Sequence, residues 1–198
     1  PVPAKAPLNR YSTIRKDMRV QGENPARAFA TAMREHNGRP VLLVVNARGG
    51  TSISSWLKDA APSGGRPQYY SEAVRRASEA MRYGRLKGIL WHQGESDSDS
   101  TRAAVYMQRL VRLVADLRTD LGVGESVPFV AGEILRSNDN ASVFNPVIGR
   151  IADYIPNSAC VNSEGLAPLP DNLHFSRESQ LVLGGRYAEA IISLYGYR

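Results

Sequence analysis

The sequence predicts an α/β protein built on a parallel sheet, and three observations carry that prediction. Apolar runs of strand length, Val41–Val45 above all, are short and continuous rather than alternating, as in strands buried on both faces. Segments with helical periodicity lie between them. The two kinds alternate along the chain, the pattern of parallel strands joined by right-handed crossovers.

Each element has its own local signal. Asn24-Pro25 reads as an N-cap followed by proline at the first helical position, so a helix runs from Ala26 to about His36 and stops near Asn37-Gly38. The strand Val41–Val45 follows, then a loop from Asn46 to Pro67 rich in Gly, Ser and Pro. Ser71-Glu72 opens a helix reaching about Tyr83. Gly88–Trp91 reads as a second buried strand. A long helix spans about Thr101 to Leu121, with Tyr106, Leu110, Leu113, Val114, Leu117 and Leu121 on one stripe. Pro128–Ala131 gives a third strand. Asn140 to Ile155 is mostly helical with an interruption at Pro146. Ser158–Val161 is a fourth strand, and a helix from about Arg177 to Leu194 turns Leu183, Tyr187, Ile191 and Leu194 inward.

The 198 residues fit a single domain, 1–198, with one core. At 42% hydrophobic and 22% charged, the composition is that of an ordinary globular protein. No apolar run approaches the roughly 20 residues that span a bilayer, so no membrane partner is expected. Pro1–Lys5 lacks an apolar targeting segment, so any such segment is expected to lie upstream or never to have existed. The net charge of +6 is spread over several helices without a dense basic block, which argues against a nucleic-acid partner. Cys160 is the lone cysteine, so no internal disulfide forms, and its apolar surroundings suggest a buried, inert thiol.

In an open parallel sheet, ligands bind beyond the carboxyl ends of the strands. Three segments there carry chemistry. Asn46-Ala47-Arg48-Gly49-Gly50-Thr51-Ser52 places two glycines after a strand, suited either to an oxyanion contact or to a plain turn. Trp91-His92-Gln93-Gly94-Glu95-Ser96-Asp97-Ser98 gathers a histidine, an amide and a carboxylate. Gln93 is a candidate oxyanion donor, and Glu95 a base, an orienting acid or a cap. The segment is not a Gly-x-Ser-x-Gly nucleophile elbow, and Asp97-Ser98-Asp99 resembles a calcium loop only faintly. In Asp171-Asn172-Leu173-His174, the spacing lets the carboxylate accept a bond from one imidazole nitrogen and leaves the other free to take a proton from a serine. The plainer alternative is a turn at Asp171 and a helix cap at His174.

Taken together, these segments resemble the SGNH (GDSL-type) hydrolases, in the branch of sialic acid-specific acetylesterases and acetylxylan esterases. Trp-His-Gln-Gly-Glu-Ser-Asp at 91–97 is the most specific element; 46–52 and 171–176 resemble two further blocks. The resemblance implies a three-layer α/β/α sandwich with flavodoxin-like strand order. It also implies hydrolysis of acetyl esters on a carbohydrate such as sialic acid or xylan, without a cofactor or metal. His174 would be general base and then acid, with Asp171 as its partner and Glu95 as a rival for that role. Gly49, Gly50 and Gln93 would form the oxyanion hole. Asn46 and Arg48 would bind substrate. Trp56, Tyr69 and Tyr70 could line a sugar site as well, although aromatics near a helix start more often belong to the core. Loops 51–68 and 136–145 would shape specificity, and a periplasmic or secreted location would fit the family.

The resemblance also implies a nucleophilic serine in a Gly-Gln-Ser-Asn or Gly-Asp-Ser block at the end of a first strand, and no such block occurs in residues 1–198. That strand would lie inside the sheet, between 41–45 and 88–92. Leaving it out strands two rows of backbone groups. The domain is therefore expected to be incomplete at its N-terminal side, with a segment of a few dozen residues preceding it or supplied by a separate fragment. The alternative from another class is a non-catalytic glycan-binding or scaffold protein of the same fold that has lost its nucleophile. A nucleotide-binding domain is disfavoured, because no Gly-rich phosphate loop follows a strand.

Overall fold

The computed structural model describes residues 1–5, 8–14, 22–62, 65 and 67–196. Residues 63, 64 and 66 of the expected specificity loop lie outside that set. The elements are α1 (Pro25–Asn37), α2 (Tyr69–Ala80), β1 (Ile89–Trp91), α3 (Ser100–Asp120), β2 (Phe129–Gly132), α4 (Ala141–Ile148), β3 (Ser158–Val161) and α5 (Arg177–Leu194).

Helix α1 begins and ends where its capping residues direct. Asn24 Oδ1 accepts from Ala26 N at 3.0 Å, Pro25 opens the first turn, and Gly38 closes the helix at φ 69°. The helix lies close against α5, where a Cβ on Gly184 would stand 2.7 Å from Ala28 Cβ. Asp99 caps α3 through Arg102 N, and Ser176 caps α5 through Ser179 N.

The sheet is parallel in the order β1-β2-β3, with Leu90 opposite Val130 and Val130 opposite Ala159. Helices cover both faces, and the period-two alternation of the strands sorts the core into two halves. Ile89, Trp91, Phe129 and Ala131 face a cluster containing Tyr106, Leu110, Leu113 and Val114 of α3 with Phe144 and Ile148 of α4. Leu90 and Val130 face Met33 of α1 and Leu183, Tyr187 and Ile191 of α5. Each such buried Leu, Ile or Phe contributes about 1.5–3 kcal/mol.

Three expectations are corrected. Val41–Val45 is not a strand buried on both faces: it makes no ladder with any described strand, Leu42 is 45% exposed, and the other four residues are half-buried. An apolar run becomes a buried strand only when a neighbour takes up its backbone groups. Here the end of the run is held by Arg76, which donates to Val45 O and Asn46 Oδ1. The sheet thus has three described strands rather than four. Second, β1 is half-buried whereas β2 is buried throughout, because β2 is paired on both edges and β1 on one among the described residues. Third, Pro146 sits inside α4 instead of interrupting it. It removes one intrahelical bond, but buried Phe144 and Ile148 hold the last turn, and the break comes at Gly149.

Candidate active site

The loop that follows β3 is folded back on itself. Pro168 and Phe175 form an antiparallel bridge, Leu169 N donates to His174 O at 2.7 Å, and Ser176 N donates to Ala167 O at 2.9 Å. Asn172 makes the turn in the left-handed region, φ 54°, where asparagine is tolerated best among non-glycine residues. Within this turn Asp171 Oδ1 accepts from the backbone N–H of Leu173 (3.0 Å) and of His174 (2.9 Å), which leaves Oδ2 to meet His174 Nδ1 at 2.7 Å. The His174 N–H, then its ring, then the Leu173 N–H pull the Asp171 carboxyl down to about 2. The side chains of His174 and Asp171 are 65% and 48% exposed. With Nδ1 engaged, Nε2 is the ring nitrogen open to an incoming group.

Phe175, buried beside this pair, joins the loop to the end of β1. Its ring lies edge-on to His92 with centroids 5.2 Å apart. His92 Nδ1 is 2.9 Å from Tyr187 Oη, whose proton goes to Trp91 O at 3.0 Å. His92 therefore donates from Nδ1, and its buried Nε2 is an acceptor without a hydrogen-bond partner. Burial pushes this imidazole below its ordinary value, with Glu95 partly opposing. Gly132 makes the approach feasible, since a Cβ there would stand 2.6 Å from His92 Nδ1.

Gln93 sits at the centre of a buried network. Its Nε2 donates to Asp97 Oδ2 at 2.7 Å and to Thr51 O at 3.0 Å, so both amide hydrogens are engaged. Its Oε1, at 2.9 Å, and its own backbone carbonyl, at 3.0 Å, share the Tyr106 Oη proton, and Trp91 Nε1 in turn donates to Tyr106 Oη. Asp97 Oδ2 also accepts from Ile53 N at 2.7 Å. Gly94 fits beneath because it lacks a Cβ, which would meet the Phe144 ring and stand 2.8 Å from Ile134 Cγ2.

The network ties the segment after β1 to the Gly49–Gly50 turn, where Gly50 adopts φ 69°. Asn46 Oδ1 accepts from Arg76, Arg48 is half-buried, and its carbonyl accepts from Thr51 Oγ1. Glu95 is half-buried near His92 and is not bonded to His174. Trp56, Tyr69 and Tyr70 do not line a sugar site: they are at most 7% exposed and belong to the core, with Trp56 and Tyr69 rings 5.0 Å apart. Asp97 and Asp99 do not form one loop site, since Asp97 turns inward to Gln93 and Asp99 caps α3. Burial pushes the half-buried Cys160 thiol up to about 12, which keeps it protonated and inert. A cavity of about 490 Å³ lies elsewhere, lined by Arg118, Gly122 and Tyr154 near the amino end of β3, and shares no residue with these segments.

All three motifs thus meet beyond the carboxyl edge of the sheet. Sequence reasoning missed the connecting roles of Asp97, Tyr106 and Tyr187. The available signal was a tyrosine hydroxyl on the inward stripe of a helix, which needs a polar partner once buried.

A parallel α/β sheet with an exposed Asp–His pair beyond its carboxyl edge is the frame of the class: an open-sheet α/β domain with its candidate site at the strand ends. The family follows from comparison with known proteins. Residues 2–193 match the model of the carbohydrate esterases described as sialic acid-specific acetylesterases, and the chain belongs to that family. It is 31% identical over 180 residues to a probable carbohydrate esterase of Arabidopsis thaliana, covering 88% of this chain and 65% of that protein. The crystal structure of that Arabidopsis protein superposes with a TM-score of 0.77, covering 88% of this chain and 70% of the other. A carbohydrate acetylesterase from Xanthomonas citri is similar in fold at 19% identity, with a TM-score of 0.71 over 87% of this chain and 41% of its own. The structure of NanS is similar at 19% identity, with a TM-score of 0.67 over 93% and 75%.

Proposed function

We propose that this domain is the histidine–aspartate part of a serine acetylesterase acting on O-acetylated carbohydrate. The observation that carries the reading is the 2.7 Å contact between His174 Nδ1 and Asp171 Oδ2, with Nε2 left open at the edge where ligands bind. His174 Nε2 takes the proton of an attacking serine hydroxyl while Asp171 stabilises the imidazolium. The serine oxygen bonds to the acetyl carbon, and the tetrahedral oxyanion is met by the Gly49–Gly50 backbone and by Gln93 once Thr51 O releases an amide hydrogen. The intermediate collapses, the sugar oxygen leaves with the proton from His174, and water returns the acetyl-enzyme to the free serine. Asn46 and Arg48 hold the sugar, and Glu95 sets the field around His92.

The serine belongs to a strand that inserts between 41–45 and β1, supplied by upstream sequence. The mostly half-buried apolar run, and the edge of β1 that pairs with no strand among the described residues, support this placement. The second reading, glycan binding without catalysis, draws on a different observation: no described serine hydroxyl is bonded to His174. One assay separates the two. The protein carrying its upstream residues is incubated with an acetylated sugar, and acetate release is compared with that of His174→Ala. The esterase reading expects a loss of at least about 10³-fold. Equal activity in both proteins removes it.

A further inference from the structure

We infer that Asp97 is a positioning residue for the oxyanion side of the site, fixing which end of the Gln93 amide faces the Gly49–Thr51 turn. The inference rests on the esterase reading above. An amide can be turned by 180° with little change in shape, and only its partners decide where its N–H groups point. At Gln93 the decision is made from both ends. Tyr106 Oη, whose one proton is shared between Gln93 Oε1 at 2.9 Å and Gln93 O at 3.0 Å, faces the Oε1 end, while a carboxylate oxygen, Asp97 Oδ2, meets Nε2 at 2.7 Å. The second hydrogen on Nε2 is thereby aimed at Thr51 O, one residue from the Gly49–Gly50 turn.

Asp97 also holds the segment just after that turn. The same Oδ2 accepts from Ile53 N at 2.7 Å, so one oxygen clamps two segments 44 residues apart in sequence. Asp97 is fully buried, and its other oxygen, Oδ1, is sealed from water without a hydrogen-bond partner. Asp97 touches no place where substrate would sit; its effect passes through Gln93 and Ile53.

The test uses the protein carrying its upstream residues. Asp97→Ala frees the Nε2 end of the amide, Tyr106→Phe frees the Oε1 end, and Asp97→Asn can keep one oxygen where Oδ2 stands. Steady-state acetate release is measured on samples whose near-UV circular dichroism shows native packing. The expected result is a kcat about 100-fold lower in Asp97→Ala and about 10-fold lower in Tyr106→Phe. KM should stay within about threefold, and Asp97→Asn should recover kcat to within about tenfold of the parent. Gln93 side-chain amide protons, read by NMR, should exchange slowly in the parent and quickly in Asp97→Ala. Should Asp97→Ala not fold, Tyr106→Phe and Asp97→Asn decide. A folded Asp97→Ala or Tyr106→Phe with kcat within threefold of the parent, or freely exchanging Gln93 amide protons in the parent, overturns the inference. If His174→Ala is as active as the parent, the esterase reading fails instead, and the amide exchange still decides whether Asp97 fixes Gln93.

Discussion

Two carboxylates stand at the carboxyl edge of the sheet, and they are built in opposite ways. Asp171 holds its partner across three residues of one exposed turn, and all its hydrogen bonds come from within that turn. Asp97 is sealed in the core and joins residues from separate parts of the chain. The difference teaches where function and stability are coupled. Around Asp171 water replaces any lost partner, so a change there leaves the fold alone and, on the proposed esterase reading, alters proton transfer. Around Asp97 no water enters, so a change leaves donors unpaired and moves the fold and the site together.

Three measurements test that contrast. The largest effect is expected at the exposed pair. Asp171→Asn removes the charge that stabilises the imidazolium, so kcat should fall about 10²–10⁴-fold while the melting temperature moves by less than about 2 °C. A large thermal shift would mean that the turn is not the independent unit described. Next comes the buried side. Gly94→Ala drives a methyl group into Phe144 and Ile134, which are both fully buried. Overpacking of this kind destabilises by about 1–3 kcal/mol, or about 2–12 °C in melting temperature, and should lower kcat as Gln93 shifts. An alanine protein with parental stability would show that the pocket beneath Gln93 is looser than its contacts imply.

The smallest effect concerns pH. Burial lowers the His92 value in the folded protein, so His92 stays neutral where the unfolded chain, with an ordinary value of about 6.5, takes up a proton. The unfolded state then binds more protons at low pH. The His92 contribution is fully present above about pH 6.5 and is lost as pH falls below it. Melting curves between about pH 7.5 and about pH 5.5 should drop by a few degrees, and the drop should shrink in His92→Gln. An unchanged slope in that variant would assign the titration to another group.

Much of this molecule is legible from local signals. The Asn24-Pro25 start and Gly38 stop of α1, the inward stripe of α3 and the span of β3 all follow from residues within a few positions of each other. So does the Asp171–His174 pair, because a three-residue spacing in a turn already brings carboxylate and imidazole together. The run Val41–Val45 misleads for the opposite reason. Its composition is that of a buried strand, but burial depends on neighbours that a run of residues does not carry within itself. Trp56, Tyr69 and Tyr70 differ: aromatic residues near a helix start more often serve a core than a sugar site, and packing places all three in the core.

By itself, then, the sequence determined the alternation of helices and strands, the caps, and the local turn that presents His174. Those depend on short-range sterics and on hydrogen bonds closed within a few residues. Tertiary structure alone decided that Asp97 reaches both Gln93 and Ile53, that Tyr106 and Tyr187 direct hydroxyls into the site, and that Gly94 and Gly132 leave room for it. The physical reason is that a buried polar group must be satisfied by whatever the fold brings beside it, and that neighbour has no fixed distance along the chain.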